Sequence, residues 1–257
     1  MSTSVPSNVS PGIPLGEGER STSRLHLGSS PTLAALNAQV AECERCPRLR
    51  TYCEGIAREK RRAYRHEEYW GKPVPSFGDP QARVLLLGLA PGAHGSNRTG
   101  RPFTGDGSGA FLYPLLWEAG FASQPRAIAR GDGMELHGAC ITSVVRCAPP
   151  DNKPNAEEQA NCAPFLDREL ALLTELRVVL ALGKIAFDGY TGYLQRNGRI
   201  ARRSAYVFSH GAEYALPHGG WLLATYHPSL QNTNTGRLTA PMLLRVLARA
   251  RELAGLG

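Results

Sequence analysis

Residues 83–90, RVLLLGLA, decide the fold. Their apolar run repeats with a period of neither two nor 3.6, as a central parallel strand covered on both faces should. It empties into a loop dense in Gly and Pro, residues 91–109, PGAHGSNRTGRPFTGDGSG, and a helix is expected over about 109–120, ended by Gly120. The alternation recurs downstream. Strands are expected at 138–145 (GACITSVV), 177–183 (RVVLALG) and 220–226 (GWLLATY). Between and after them come a helix to about 173 opened by an Asn155/Glu158 capping box, a short helix near 184–190, and a final helix at 240–254. Strands separated by helices imply right-handed crossovers. The expected fold is α/β: a three-layer α/β/α arrangement around a four-stranded, mostly parallel central sheet, with its chemistry at the strand C-termini.

Outside this frame the signals are weaker. Residues 1–30, rich in Ser, Pro and Gly, read as a disordered or loosely attached tail. Leu33, Leu36 and Val40 recur at helical spacing and place a helix over 31–42. The charge run 58–68, REKRRAYRHEE, is compatible with a helix or an extended connection, and with a DNA-contacting surface or a solvated face. Residues 71–80 read as loop, and 191–220 as an irregular excursion or hairpin. A single domain over 31–257 is the simplest organisation, and monomer is the default state.

Composition narrows the classes further. No apolar run approaches the roughly 18 residues of a membrane span. The opening MSTSVPSNVSPG has neither the basic cluster nor the apolar core of a secretory signal, so the chain reads as cytoplasmic. The net charge of +7 comes from 29 basic and 22 acidic residues, and only four of the basic ones are Lys. An Arg-weighted positive surface favours a polyanionic partner.

Six cysteines are too few and too unevenly spaced for a disulfide scaffold. Cys43 and Cys46 form a CxxC pair before Pro47, Cys147 follows the second expected strand, and Cys162 lies in the Asn155-capped helix. Together they are a candidate four-thiolate site for Zn or an iron–sulfur cluster. The competing reading is a redox disulfide at Cys43/Cys46 with the others as core. Cys140 reads as packing on a central strand, and Cys53 as a thiol that could displace a ligand.

Two loops carry the remaining chemistry. GLAPGAHG (88–95) lacks both the G-x-G-x-x-G spacing of a dinucleotide site and the GK[ST] ending of a P-loop. Its glycines still free backbone N–H groups, near Gly92 and Ala93, to meet developing negative charge. Phe103 can stack on a planar base or plug the sheet; Asp106 can position water or cap the next helix. In HPSLQNTNTGRLT (227–239), His227 can donate to a leaving-group oxygen. Ser229, Asn232, Asn234, Thr235 and Arg237 form a polar surface suited to phosphate, or a solvated loop.

Taken jointly, GLAPGAHGSNRTGRPFTGDGSG, ITSVVRCAPPDNKP and ATYHPSLQNTNTGRLT resemble the uracil-DNA glycosylase superfamily, and most closely its type-B branch, family 5, over about residues 33–252. The resemblance implies a [4Fe–4S] cluster of structural role on Cys43, Cys46, Cys147 and Cys162. It implies a partner, DNA containing uracil or another deaminated base, and a monofunctional glycosylase that leaves an abasic site for base excision repair. Better-known branches carry a water-orienting Asp or Glu in the first loop; this chain reads Gly88-Leu89-Ala90-Pro91-Gly92, an absence that family 5 shares. Asp106 is the nearest acidic candidate. Ser143 stands where related branches have a uracil-reading Asn, and a hydroxyl reads pyrimidine edges less selectively than an amide. Ala90 and His94 join Phe103 and Ser143 as expected base contacts, with Asn152, Arg101 and Tyr113 as further lining candidates. The recognised blocks hold only one lysine, Lys153, in a polar setting unsuited to Schiff-base chemistry. The rival function is a catalytically inactive iron–sulfur DNA-binding or scaffold protein.

Overall fold

In the computed structural model, residues 1–3 and 32–257 are described; the tail expected over 1–30 lies, after its first three residues, outside them. In chain order the helices α1 (Leu33–Ala41) and α2 (Pro47–Glu59) precede the strands β1 (Phe77–Gly78) and β2 (Val84–Gly88). The short helix α3 (Ser96–Thr99) and α4 (Gly107–Glu118) follow, then β3 (Ala139–Ser143), α5 (Ala156–Leu172), β4 (Val178–Leu182) and α6 (Lys184–Arg196). The chain closes with β5 (Glu213–Ala215), β6 (Trp221–Thr225), the short α7 (Leu230–Asn234) and α8 (Ala240–Ala254).

Every residue of β2, β3 and β4 is buried, which is why their sequences show no alternation. Alternate side chains enter two different cores. Leu85, Leu87, Val179, Ala181, Leu222 and Ala224 pack with residues of α2, α5 and α6. Val84, Leu86, Val178, Leu180 and Leu223 pack on the opposite face with residues of α4 and α8. On the area scale each buried leucine contributes about 2 kcal/mol. The three layers therefore follow from the apolar strands being covered twice.

The sheet order is β1-β3-β2-β4-β6-β5. β3, β2, β4 and β6 run parallel, with Val84 beside both Ala139 and Val178, and Val178 beside Trp221. The four expected strands are these. The sheet has six, however, because β1 and β5 add antiparallel edges to β3 and β6. β1 has two residues and lies in the Pro/Gly-punctuated stretch expected as loop; β5 has three, half in solvent. Neither is long enough to impose a period on the sequence.

Helix ends follow local chemistry. Asn155 Oδ1 accepts from the Glu158 N–H, and Glu158 Oε2 accepts from the Asn155 N–H, both at 2.8 Å, completing the expected capping box. α6 runs past its expected end to Arg196, burying Thr191 and Leu194 on the face that Phe187 starts. α2 is not announced by the sequence pattern, although Pro47 occupies a first-turn position and Leu49 and Cys53 share its buried face. The charge run beginning at Arg58 is consequently divided: it finishes α2, turns at Lys60 with φ 54°, and forms a 3-10 turn at Arg62–Tyr64.

Candidate active site

Loops following β2, β3 and β6 enclose a cleft of about 840 Å³. The glycine-rich loop contributes Ala90, Gly92, Ala93 and His94; Phe103 and Asp106 come from its continuation; Ser143 ends β3; His227, Ser229 and Asn232 follow β6. Most of the expected catalytic and base-contacting residues thus meet in one cleft.

The first loop is held by its own backbone. Asn97 and Gly95 N–H groups donate to Gly92 O at 3.0 and 3.3 Å. The buried Asn97 amide donates to Ala93 O at 3.4 Å and to Cys53 O at 3.2 Å, tying the loop to α2. The Gly92 and Ala93 N–H groups donate to no acceptor among the described residues, and both residues line the cleft. Unpaired donors fixed on a rigid loop are suited to a developing anion.

Asp106 caps α4, its Oδ1 accepting from the Gly109 N–H at 3.0 Å. Its other oxygen stands against Gly92 and Gly95, where an added Cβ would come within 2.8 and 2.0 Å of it. Those glycines leave room for the carboxylate. Burial raises the Asp106 carboxyl above the usual carboxylate range, against the opposing N–H bonds of Gly109 and Ser108 and the charge of Arg98. The capping reading is therefore seen directly, and the same residue reaches the cleft.

Phe103 has φ 51°, a left-handed conformation that costs a non-glycine residue about 1 kcal/mol or more. Its carbonyl sits where a side chain at position 109 would be, only 1.7 Å from a built Cβ, so glycine is required there. The ring lies over Gly88 and faces His227, centroids 5.7 Å apart. Both readings of Phe103 hold: it packs on the sheet-side core and walls the cleft.

His227 is pushed down to about 4 by burial, so its imidazole is neutral at physiological pH and one ring nitrogen is a donor. Asn232 Nδ2 donates to His227 O at 2.8 Å, fixing the turn that presents the ring. The His94 pKa is lowered too, by burial first and then by the charges of Arg61 and Arg98; its Nδ1 lies 3.1 Å from the Tyr69 hydroxyl. Ser143 is buried beside Gly88 and the Phe103 ring.

Other candidates separate. Ser229 and Asn232 line the cleft, whereas Asn234, Thr235 and Arg237 do not. The Thr235 hydroxyl donates to Gln231 O at 2.7 Å, and the Arg237 guanidinium lies 4.6 Å from the centre of the Tyr226 ring. Asn152 lines the cleft, with φ 55°. Arg101 and Tyr113 instead stand behind its wall. Arg101 forms a bidentate pair with Asp132 at 2.7 and 2.8 Å, and the Tyr113 hydroxyl donates to Pro102 O at 3.0 Å. Tyr52 and Val74 line the cleft without any motif to announce them, and Pro149 and Gln231 line it from within the quoted blocks without a chemistry that singles them out. Tyr52 had no signal because α2 itself was unanticipated.

No disulfide joins any of the six cysteines. Cys43 lies between α1 and α2, Cys46 caps α2, Cys147 follows β3 and Cys162 is in α5. Asn161 Nδ2 donates to Cys46 Sγ at 3.6 Å, and the Arg146 N–H donates to the Cys162 thiol. Burial pushes Cys162 up to about 11, and Cys46 and Cys43 add to that; Cys46 is raised by burial and by Cys43. Cys147 is raised by a hydrogen bond shared with Cys53, by burial and by the charges of Cys53 and Cys162. The four thiols form one neighbourhood with Cys53 at its edge. Among the described residues, no three His, Cys, Asp or Glu side chains converge as ligands of a single ion.

The fold and cleft define an α/β enzyme whose cleft brings together an aromatic ring, an uncharged imidazole and free backbone donors. No helix among the described residues is long and apolar enough to cross a membrane. The chain belongs to the uracil DNA glycosylase superfamily, whose description matches residues 75–251. It is 56% identical over 214 residues to the type-5 uracil-DNA glycosylase of Thermus thermophilus, covering 83% of this chain and 94% of the relative. The type-5 enzyme of Mycobacterium leprae is 45% identical over 230 residues, covering 89% and 99%. That of Pyrobaculum aerophilum is 43% identical over 217 residues, covering 84% and 91%.

Proposed function

We propose that this chain is a monofunctional DNA glycosylase that hydrolyses the N-glycosidic bond of uracil, and of other deaminated bases such as hypoxanthine, leaving an abasic site for base excision repair. The observation that carries the reading is a neutral His227 facing the Phe103 ring in the cleft that also contains the free Gly92 and Ala93 N–H groups.

The extruded base stacks on Phe103, an interaction worth about 1–3 kcal/mol. As the bond between C1′ and the base nitrogen breaks, its electron pair stays with the base and negative charge grows on a base oxygen. His227 and the Gly92 and Ala93 N–H groups donate to that oxygen. A neutral donor suits this task because it stabilises charge without having to lose a proton. Water then bonds to the cationic C1′ and gives up a proton, for which the burial-raised Asp106 carboxylate is the acceptor. Ser143 contacts the base edge, and its single rotating hydroxyl can serve as donor or acceptor, which supports a range wider than uracil. Ala90 and His94 shape the pocket, and Ser229 and Asn232 stand where the strand enters.

The donor set fits an iron–sulfur cluster. Four buried or half-buried thiols come from three chain segments, Cys43 and Cys46 adding to the upward shift of Cys162 and Cys162 to that of Cys147, and the Arg146 N–H points at Cys162. A [4Fe–4S] cluster on Cys43, Cys46, Cys147 and Cys162 would cross-link α2, the loop after β3 and α5, its chemistry there being structural. The protein acts as a monomer, on DNA in the cytoplasm.

The test is single-turnover base release from duplexes carrying uracil opposite guanine and, in parallel, hypoxanthine opposite thymine. Release of both is expected. Uracil release alone overturns the wider range, and tight DNA binding with no release, in protein of intact cluster, establishes the scaffold reading instead.

A further inference from the structure

The charge run that begins at the end of α2 leaves an unassigned surface. None of the ion pairs among the described residues uses Arg58, Lys60, Arg61, Arg62 or Arg65. The four arginines are exposed. Of the acidic residues interleaved with them, Glu67 is paired with Arg98. The run is anchored to the active-site loops through two residues. Arg98 lies 3.9 Å from the centre of the Tyr64 ring, and its Nε and Nη2 donate to His94 O and Gly105 O, both at 2.8 Å. Tyr69 accepts from the Arg61 N–H at 3.3 Å through the same hydroxyl that meets His94 Nδ1. His94 lines the cleft and feels the charge of Arg61, so the run is tied to the cleft's edge through Arg61, Tyr64 and Tyr69, while Arg65 Nε donates to the exposed His66 at 2.9 Å.

We propose that Arg58, Arg61, Arg62 and Arg65 bind backbone phosphates of the duplex flanking the extruded nucleotide; the inference rests on the glycosylase reading. The chemistry matches the partner. The guanidinium fork fits a phosphate, and the run offers no apolar anchor, its one aromatic ring being covered by Arg98. The other arginine-rich stretch is partly neutralised, Arg196 pairing with Asp167 and Arg203 with Asp188, and its hydrogen bonds reach no residue of the cleft. Its Arg199 and Arg202, exposed and outside these ion pairs, are therefore the control.

The experiment is the salt dependence of duplex binding, by fluorescence anisotropy with the full chain from low to moderate NaCl. It compares the wild type with an Arg58→Gln/Arg61→Gln/Arg62→Gln/Arg65→Gln variant and an Arg199→Gln/Arg202→Gln control. Each phosphate contact contributes about 0.9 to the slope of log K against log salt, so the quadruple variant should lose about 3.6 from it. Its affinity should fall equally for uracil-containing and undamaged duplex, by about tenfold or more near physiological salt. Base release should recover once enzyme exceeds the new Kd, which also shows that the variant folds. The control should keep the wild-type slope. An Arg61→Gln/Arg62→Gln pair, expected to lose about half as much slope, gives a second reading. An unchanged slope in both variants of the run, or an equal loss in the control, overturns the proposal. If the wild type binds with a steep slope but releases no base, the glycosylase reading fails while the slope comparison still decides the phosphate contacts.

Discussion

The Phe103 ring and the His227 imidazole face each other across 5.7 Å, tilted by 33°. One side chain is held in a left-handed backbone conformation and the other is stripped of its charge by burial. The stacking face and the hydrogen-bond donor of the proposed mechanism are thereby already side by side in one cleft.

His227 should act in the transition state and not in binding. His227→Ala removes one donor to the departing base, and losing such a donor costs about 10²–10³ in rate. Single-turnover excision should fall by that factor while the Kd for duplex DNA stays within about threefold. Equal losses in both would remove its assigned role.

The same histidine sets a pH limit. Its folded pKa is about 4, below the ordinary value of 6.5. A depressed value means that the unfolded chain takes up the proton first. The associated stability is complete above pH 6.5 and is lost as the pH falls through 4. Excision should show no inflection near 6.5 attributable to His227, and nitrogen chemical shifts of its ring should titrate near 4. A midpoint near 6.5 would mean a charged imidazole at the site.

Asp106→Asn separates a cap from a water-directing base. Asparagine caps as well as aspartate, so the amide keeps the bond from Gly109 N–H and the melting temperature should hardly move. Excision should fall by about 10²-fold as the proton acceptor is lost. A near-normal rate would leave Asp106 as a cap alone.

What was legible in the sequence was whatever burial or a fixed spacing had written there. Leu85, Leu86 and Leu87 are all fully buried, and that double coverage is what a run without period reports. Asn155 and Glu158 disclose a helix start because their bonds are local. The two edge strands were illegible because two or three residues cannot establish alternation. The site divides in the same way. His227, Asp106 and Phe103 have chemistry that the resemblance picks out, whereas Asn97, in the same block as the last two, holds the glycine-rich loop through a bond to Cys53 of α2, a partner distant in sequence. Arg101 shows the reverse error: an Arg inside a site motif suggests substrate contact, yet its charge is satisfied by Asp132, in a loop that no pattern connects to it.

That pair should be a stability element of the Phe103 loop. Arg101 is 4% exposed and Asp132 13%. Asp132 also accepts from the Ile128, Ala129 and Met134 N–H groups. Burial opposes its ionisation, but Arg101 and these N–H groups hold the carboxyl far below the usual range. Asp132→Ala leaves a buried guanidinium unpaired, which costs about 3–5 kcal/mol. Denaturant unfolding should register that loss, and excision should fall with it, because Arg101 is two residues from Phe103. By linkage the pair's contribution is present above the unfolded carboxyl value of about 3.9 and disappears as pH falls below it.

Removing one cysteine should separate the structural role of the proposed cluster from the chemistry of the cleft. Cys162 belongs to α5, and none of the four proposed ligands lines the cleft. Cys162→Ala should lower the iron content and visible absorbance of the purified protein and lower its melting temperature, since α2 and α5 lose their cross-link. Where folded protein remains, its excision rate at saturating enzyme should change far less than in His227→Ala. Cys140→Ala serves as the comparison: Cys140 is fully buried on β3 and outside the proposed ligand set, so its loss should reduce stability with iron content intact. Iron retained in full by Cys162→Ala would exclude that residue as a ligand and turn attention to Cys53, which shares a hydrogen bond with Cys147.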